Sequence, residues 1–278
     1  MEEYIIGLIE EILTGVSNMG GDSGLLVQTP AQFNSTIYSW VNSICQNAAM
    51  PVAYVVLALI FTLELYNASV RIDGTGGGTT FGAEIVFKVM FKFVLCKLAV
   101  DMTPQILGAI FEISSSIIGN IQTGSTQVTV GANLDELKAS VYALSGIFQK
   151  IFLCIQVTII WLIFKFASMI ITVIVVGRMI EIYIYTAIAA IPIATLGGGE
   201  LSSIGKNFLK AFAAVCVQGV IIYIALSLFG TLAVNIPTDS LASGNVTGVL
   251  FQCLLYTFVL VISIFSSGKI SKTICNAM

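Results

Sequence analysis

The chain is 278 residues long, 57% hydrophobic and only 10% charged, with 12 Lys+Arg, 15 Asp+Glu and a net charge of −3. That is too little polar surface to wrap one water-soluble core, and the net acidity argues against a nucleic-acid-binding surface. Histidine is absent, which excludes Ser-His-Asp and Cys-His catalysis, His-ligated zinc and imidazole proton relays.

The composition predicts an all-α, polytopic membrane protein. At the amino end, Glu2, Glu3, Glu10 and Glu11 stand where a signal peptide would be basic. Residues 1–14 read as a short amphipathic helix with Ile5, Leu8, Ile9 and Ile12 on one side. A Gly/Asn/Ser-rich link, Gly15–Gly24, leads to a second amphipathic stretch from Pro30 to Ala48. Thr29 is its expected cap, and Phe33, Ile37, Trp40, Val41 and Ile44 recur at helical spacing, as on a helix lying in an interface or against a partner.

Apolar runs then mark the spans. The first is near 50–68, and a Gly/Thr loop, Gly74–Gly82, follows it. That loop has the glycine content of a phosphate loop but lacks the Lys-Ser/Thr ending. A helical pattern from Ala83 to Ile121 would reach roughly 58 Å, about twice a hydrocarbon core, so it must tilt, kink at Pro104 or divide. After a polar loop at 122–135, a third span lies within 147–177 and ends at Arg178. Residues 211–238 and 240–268 carry no charge and each holds a span, with a turn at Asn235–Asn245 between them. The segment 182–196 is short, contains Pro192 and ends in Gly197-Gly198-Gly199, so it reads as a re-entrant or broken helix with Pro192 and Gly197 as candidate hinges. Taking it as non-spanning puts Arg71, Lys88, Lys92, Arg178, Lys206, Lys210, Lys269 and Lys272 on one side. The positive-inside rule then gives about five spans, amino terminus outside and carboxyl terminus cytoplasmic, in preference to six. The organisation is amphipathic helices over 1–48, two spans with the Gly-rich loop over 49–121, a polar loop and lead-in over 122–146, and a membrane core over 147–278.

Charges within the apolar runs are the candidate functional residues, because each is costly in a bilayer. At 100° per residue, Lys97, Asp101, Gln105 and Glu112 fall in one sector, and Lys97 and Asp101 are spaced to pair. Glu84, Lys88 and Lys92 form a second stripe; Glu64 and Lys165 are candidate interhelical partners. The six cysteines have no paired spacing and read as small buried hydrophobes. No nucleotide, metal or cofactor site is visible.

The run Gly177-Arg178-Met-Ile-Glu181 through Ala187 and Pro192, followed by Gly205-Lys206-x-Phe-Leu-Lys210 and Ala214-x-x-x-Gln-Gly219, resembles the TrbL-like family. These are polytopic inner-membrane channel subunits of type IV secretion and conjugation machines. The resemblance is strongest over 145–268, and the acidic start and Gly-rich loop look like forms from Gram-positive conjugative elements. It implies a non-enzymatic scaffold that forms a homo-oligomer beneath a pilus or channel. Its implied partners are a pilin-like subunit, ATPases, membrane lipids and transiting DNA–protein cargo. Arg178, Lys206 and Lys210 would sit at the inner mouth. The rival reading is a secondary transporter or ion-coupled permease with a discontinuous helix at Pro192 and Asp101 or Glu64 as coupling group, although no internal repeat supports it. A pore-forming lysis protein is a third option.

Overall fold

The computed structural model describes residues 2–21, 24–75, 79–124, 142, 146–234 and 246–277, and they contain no strand. The helices are α1 (Glu2–Gly21), α2 (Gly24–Val27), α3 (Pro30–Phe33) and α4 (Ser35–Ile44). A π-helical turn (Cys45–Ala49) then leads into α5 (Met50–Thr75), followed by α6 (Thr79–Asp101) and α7 (Thr103–Gly124). Next come α8 (Ile147–Ile188), α9 (Ala190–Ala194), a 3-10 turn (Thr195–Gly197), α10 (Ser202–Val234) and α11 (Val246–Ile274). The expected turn at Asn235–Asn245 and most of the polar loop 122–135 lie outside the described residues, as do residues 76–78 of the Gly-rich loop.

Among the described residues four stretches are long and apolar enough to cross a membrane: Ser35–Ile72, Ile147–Ile188, Ser202–Phe229 and Phe251–Ile274. The protein is therefore an all-α, multi-pass membrane protein. The remaining expected span, 83–121, is divided at Met102 into α6 and α7. Pro104 is the second residue of α7, where its missing N–H costs least. Backbone bonds still cross the join, from Met102 N to Leu98 O and from Ile106 N to Met102 O. Glu84, Lys88, Lys92, Lys97 and Asp101 make α6 less apolar than the four spanning stretches.

The apolar helix expected to end at Arg178 does not end there. No proline or capping break intervenes, and α8 runs on for 42 residues to Ile188, roughly 63 Å at 1.5 Å per residue. The second amphipathic stretch also differs in detail. Thr29 caps α3 as expected, in a capping box with Gln32. Asn34 then interrupts the helix, because its Oδ1 accepts from Ile37 N at 3.0 Å and starts α4 afresh. From Ser35 the helix continues through the π turn into α5, so the expected boundary at 48/49 falls within continuous helix.

The chain folds as two compact units. The first comprises Met1–Val27, Ser115–Gly177 and Gln218–Ile270; the second comprises Gln28–Ser114, Arg178–Val217 and Ser271–Met278. In the first unit, Ile5, Leu8, Ile9 and Ile12 are buried, as the amphipathic pattern predicts, in a core with Leu153, Val157, Ile160 and Phe164 of α8. Two lysines on this apolar helix are met by glutamates of α1. Lys150 pairs with Glu2, and Lys165 pairs with Glu11. Trp161 Nε1 also donates to Glu11 at 2.8 Å. The same unit holds α10 to α11 through Gln218 Nε2, which donates to Ser267 Oγ at 3.3 Å.

Lys150 holds the Glu2 carboxyl below the usual glutamate range, first by hydrogen bonding and then by its charge. Lys165 and Trp161 do the same for Glu11 by hydrogen bonding. A carboxylate with a lowered folded-state value stabilises at neutral pH, and that contribution is lost as pH falls through the lowered value. Hydrogen exchange, corrected for intrinsic rates, should therefore show α1 losing protection relative to α10 between pH 7 and pH values below about 4. Equal protection of α1 at both extremes would contradict the ion-pair attachment.

Candidate functional site

Of the candidate residues from the sequence, Lys165 lies in the first unit, paired with Glu11, and the others fall in the second. Its frame is an antiparallel hairpin of α5 and α6, whose register is set by contacts along its length. Tyr54 meets Asp101, Phe61 stacks on Phe93 with centroids 4.4 Å apart, and Glu64 approaches Lys92. A Cβ on Gly82 would sit 3.5 Å from Ile72. The hairpin thus runs from the Gly-rich turn at one end to the Tyr54–Asp101 contact at the other.

At that far end the expected pair forms. Lys97 Nζ donates to Asp101 Oδ2 at 2.8 Å, and Tyr54 Oη donates to Oδ1 of the same carboxylate at 2.6 Å. Both ends of the pair remain accessible, Lys97 at 57% and Asp101 at 34%, beside exposed Val94 and Leu98. Gln105 and Glu112 continue along α7 and are also exposed. Glu112 lines a cavity of about 160 Å³ with Thr29, Tyr38, Phe111 and Thr186. The second stripe divides: Lys88 pairs with Glu84 along α6 at 2.7 Å, whereas Lys92 turns to Glu64 at 3.8 Å.

Segment 190–201 is seated on this hairpin. Helix α9 and the following 3-10 turn pack against both α5 and α6. Ala53, Ala189, Ala190 and Ala194 are all buried at this contact, which lets the backbones approach closely. The glycine triplet has a closer purpose than stopping a helix. A Cβ on Gly197 would lie 3.2 Å from Cys96 Sγ, and one on Gly199 would lie 3.2 Å from Glu64 Oε1. Glu64 accepts a short hydrogen bond from Gly199 N, so the carboxylate is held by a backbone amide as well as by Lys92. Pro192 is half-buried and its carbonyl accepts from Thr195 Oγ1 at 2.7 Å. Both candidate hinges therefore lie in a packed segment.

The three basic residues expected at one mouth are not brought together as equivalents. Lys206 and Lys210 are exposed on the first turns of α10. Arg178 is only 2% exposed. Its Nε donates to Val215 O at 3.0 Å and its Nη2 to Cys216 O at 3.4 Å, while Nη1 is buried with no hydrogen-bond partner. The Phe111 ring lies 5.8 Å from the guanidinium carbon. The sequence placed this arginine at the end of a helix; it lies inside a helix that continues, and packing with α10 buries it. Tyr54 and the Gly199–Glu64 bond went unseen, because nothing local marks a tyrosine or a glycine as the partner of a distant carboxylate.

A multi-pass helical membrane protein with charges held inside its apolar helices is the class these observations define. The sequence profile described as "TrbL/VirB6 plasmid conjugal transfer like protein" matches residues 16–190, more than half of the chain. The chain belongs to this family and is thereby a component of the conjugal transfer, or type IV secretion, apparatus. The match covers the hairpin and Arg178 and stops short of Pro192, Lys206 and Lys210. It reaches well into the first 140 residues, which the motif reading took as the looser part. Neither the curated proteins nor the solved structures contain a match to this chain.

Two substitutions test the packing. A Cβ on Gly205 would fall 2.6 Å from Pro192 O, against backbone rather than a movable side chain. Gly205→Ala should therefore lower the melting temperature in detergent, at a cost of about 1–3 kcal/mol for overpacking. Gly108→Ala, with nothing within 4 Å of the new Cβ, should be neutral or raise it. Equal effects would refute the close contact between α9 and α10. Arg178→Met removes an incompletely partnered buried charge while keeping most of the volume, so stability should hold or increase. A marked fall in melting temperature would show that the guanidinium stabilises the unit.

Proposed function

We propose that the chain is a non-enzymatic channel or scaffold subunit of a conjugative type IV secretion system, and that copies of it assemble in the cytoplasmic membrane to help DNA–protein cargo cross. The observation that carries this reading is the Tyr54–Asp101–Lys97 cluster, which stays accessible among exposed apolar side chains. A charged pair facing lipid is costly, and a neighbouring copy or a wet conduit relieves that cost. Family membership supports the same reading. In this assembly the amino terminus lies outside and the carboxyl terminus in the cytoplasm. Lys206 and Lys210 lie at the inner mouth, near lipid headgroups and the ATPases of the machine. Exposed Trp40, at 65%, is a contact for a neighbouring subunit or the pilin-like subunit.

Purification in mild detergent followed by mass measurement should give a stable assembly of several subunits. A strict monomer that transports a small solute would instead favour the ion-coupled permease. Lys97→Leu or Asp101→Leu alone should impair both assembly and transfer, because each leaves a charge without its partner; the double change should restore part of the assembly. Silent single changes would remove the cluster from the mechanism. For topology, engineered cysteines at Ser203 and Gly244 should label from the inside and outside respectively, and labelling from one side only would overturn the orientation.

A further inference from the structure

The cavity of about 160 Å³ in the second unit lies between the start of α3, α4, α7, α8 and α10. An apolar cavity of about 150 Å³ admits one benzene, so this one has room for a group of about five or six heavy atoms. Its walls are held in place by packing. Leu107, Phe111, Ile182 and Phe212 line it and are themselves buried. Pro30 and Pro104, each at the start of a helix, add rigid backbone. Tyr183 Oη donates to Pro30 O at 2.7 Å and so ties the start of α3 to α8 at the edge of the cavity.

Among the residues that line this cavity, Glu112 alone carries a charge, and its exposure places it at the mouth. The other carboxylates of α6 and α7, Glu84 and Asp101, each meet a lysine; Glu112 has no ion-pair or hydrogen-bond partner among the described residues. Arg178 does not serve, because it is not on the wall and its donors go to the Val215 and Cys216 carbonyls. The cavity therefore calls for a cation. One carboxylate is too few oxygen ligands for a calcium or magnesium ion. Tyr38, Phe111 and Phe212 supply aromatic rings, whose faces attract cations. Thr186 Oγ1 donates to Ile182 O at 2.8 Å, which leaves its lone pairs to accept. An ion with N–H donors and an apolar stem matches these walls; a quaternary ammonium brings no donor to the carboxylate.

We propose that this cavity binds a primary alkylammonium ion with a stem of about four carbons, the chemistry of a lysine side chain. Glu112 takes the charge, the Thr186 and Tyr38 hydroxyl oxygens accept further N–H bonds, and the stem lies among Leu107, Phe111 and Ile182. The site is contained within a single copy, so its failure and that of the proposed assembly are distinguishable.

The test is saturation-transfer NMR of the full chain in mild detergent at neutral pH, with n-butylammonium chloride as the probe. Transfer to the butyl group should saturate with probe concentration. Tetramethylammonium, which lacks N–H donors, and n-butanol, which lacks the charge, should compete about tenfold less well or worse. Loss of a charge-assisted hydrogen bond corresponds to about a tenfold loss of affinity or more, so Glu112→Gln should weaken binding by that order. Gly108 lines the cavity and a Cβ on it meets nothing within 4 Å, so Gly108→Leu should fill the space and abolish binding with the carboxylate intact. Nα-acetyl-lysine N-methylamide separates two sources of the ion. Competition equal to that of butylammonium supports a lysine presented by a partner chain, and its absence supports a free amine. Equal competition by tetramethylammonium or by butanol would overturn the proposal. So would binding that survives both Glu112→Gln and Gly108→Leu. Melting temperatures identify a variant that fails to fold, and Glu112→Gln, at an exposed position, remains decisive if Gly108→Leu does.

Discussion

An apolar helix that carries a charge must find that charge a partner before the bilayer tolerates it, and this chain supplies most of its partners from other helices. Lys150 and Lys165 of α8 are met by Glu2 and Glu11 of α1. Glu64 of α5 is met by Lys92 of α6 and by the Gly199 amide. Asp101 of α6 takes Lys97 from its own helix and Tyr54 from α5. In each case a scarce charge fixes which helices lie side by side and in what register, while the abundant apolar contacts fill the remaining space. Hydrophobic packing alone is non-directional and would leave these helices free to slide.

Arg178 follows the rule only in part. Backbone carbonyls of α10 take two of its donors, and one buried nitrogen is left without a hydrogen bond. Carbonyl dipoles offset some of a buried charge but do not neutralise it. A residue kept at such a cost, within the part of the chain that matches the conjugal transfer family, is the group whose use is least accounted for by packing.

How much of this was legible in the sequence follows from the range of each interaction. The all-α membrane class followed from composition, and the buried face of α1 from the spacing of Ile5, Leu8, Ile9 and Ile12. Local pairings were also visible: the Thr29 cap and the Lys97–Asp101 pair lie within one turn. The segment 182–196 is legible only in its second half, where Pro192 and the three closing glycines set it apart; its first half, 182–188, belongs to α8. The end of α8 lies ten residues beyond Arg178, because a basic residue after an apolar run marks a helix end only where a proline or a cap follows it. Pro104 permits either a kink or a restart, so the division at Met102 is not legible locally. Contacts across long sequence separations, such as Tyr54 with Asp101 and Trp161 with Glu11, leave no local trace.

The central claim is that the accessible edge of α6 at Lys97 and Asp101 faces another copy of the chain in the membrane. Photo-crosslinking tests it most directly: Leu98, half-exposed beside this pair, is replaced by a benzophenone-bearing amino acid and the intact membranes are irradiated. The account predicts a ladder of crosslinked species rising in steps of one subunit mass. Crosslinks to lipid alone, with the chain normally inserted and expressed, would contradict it.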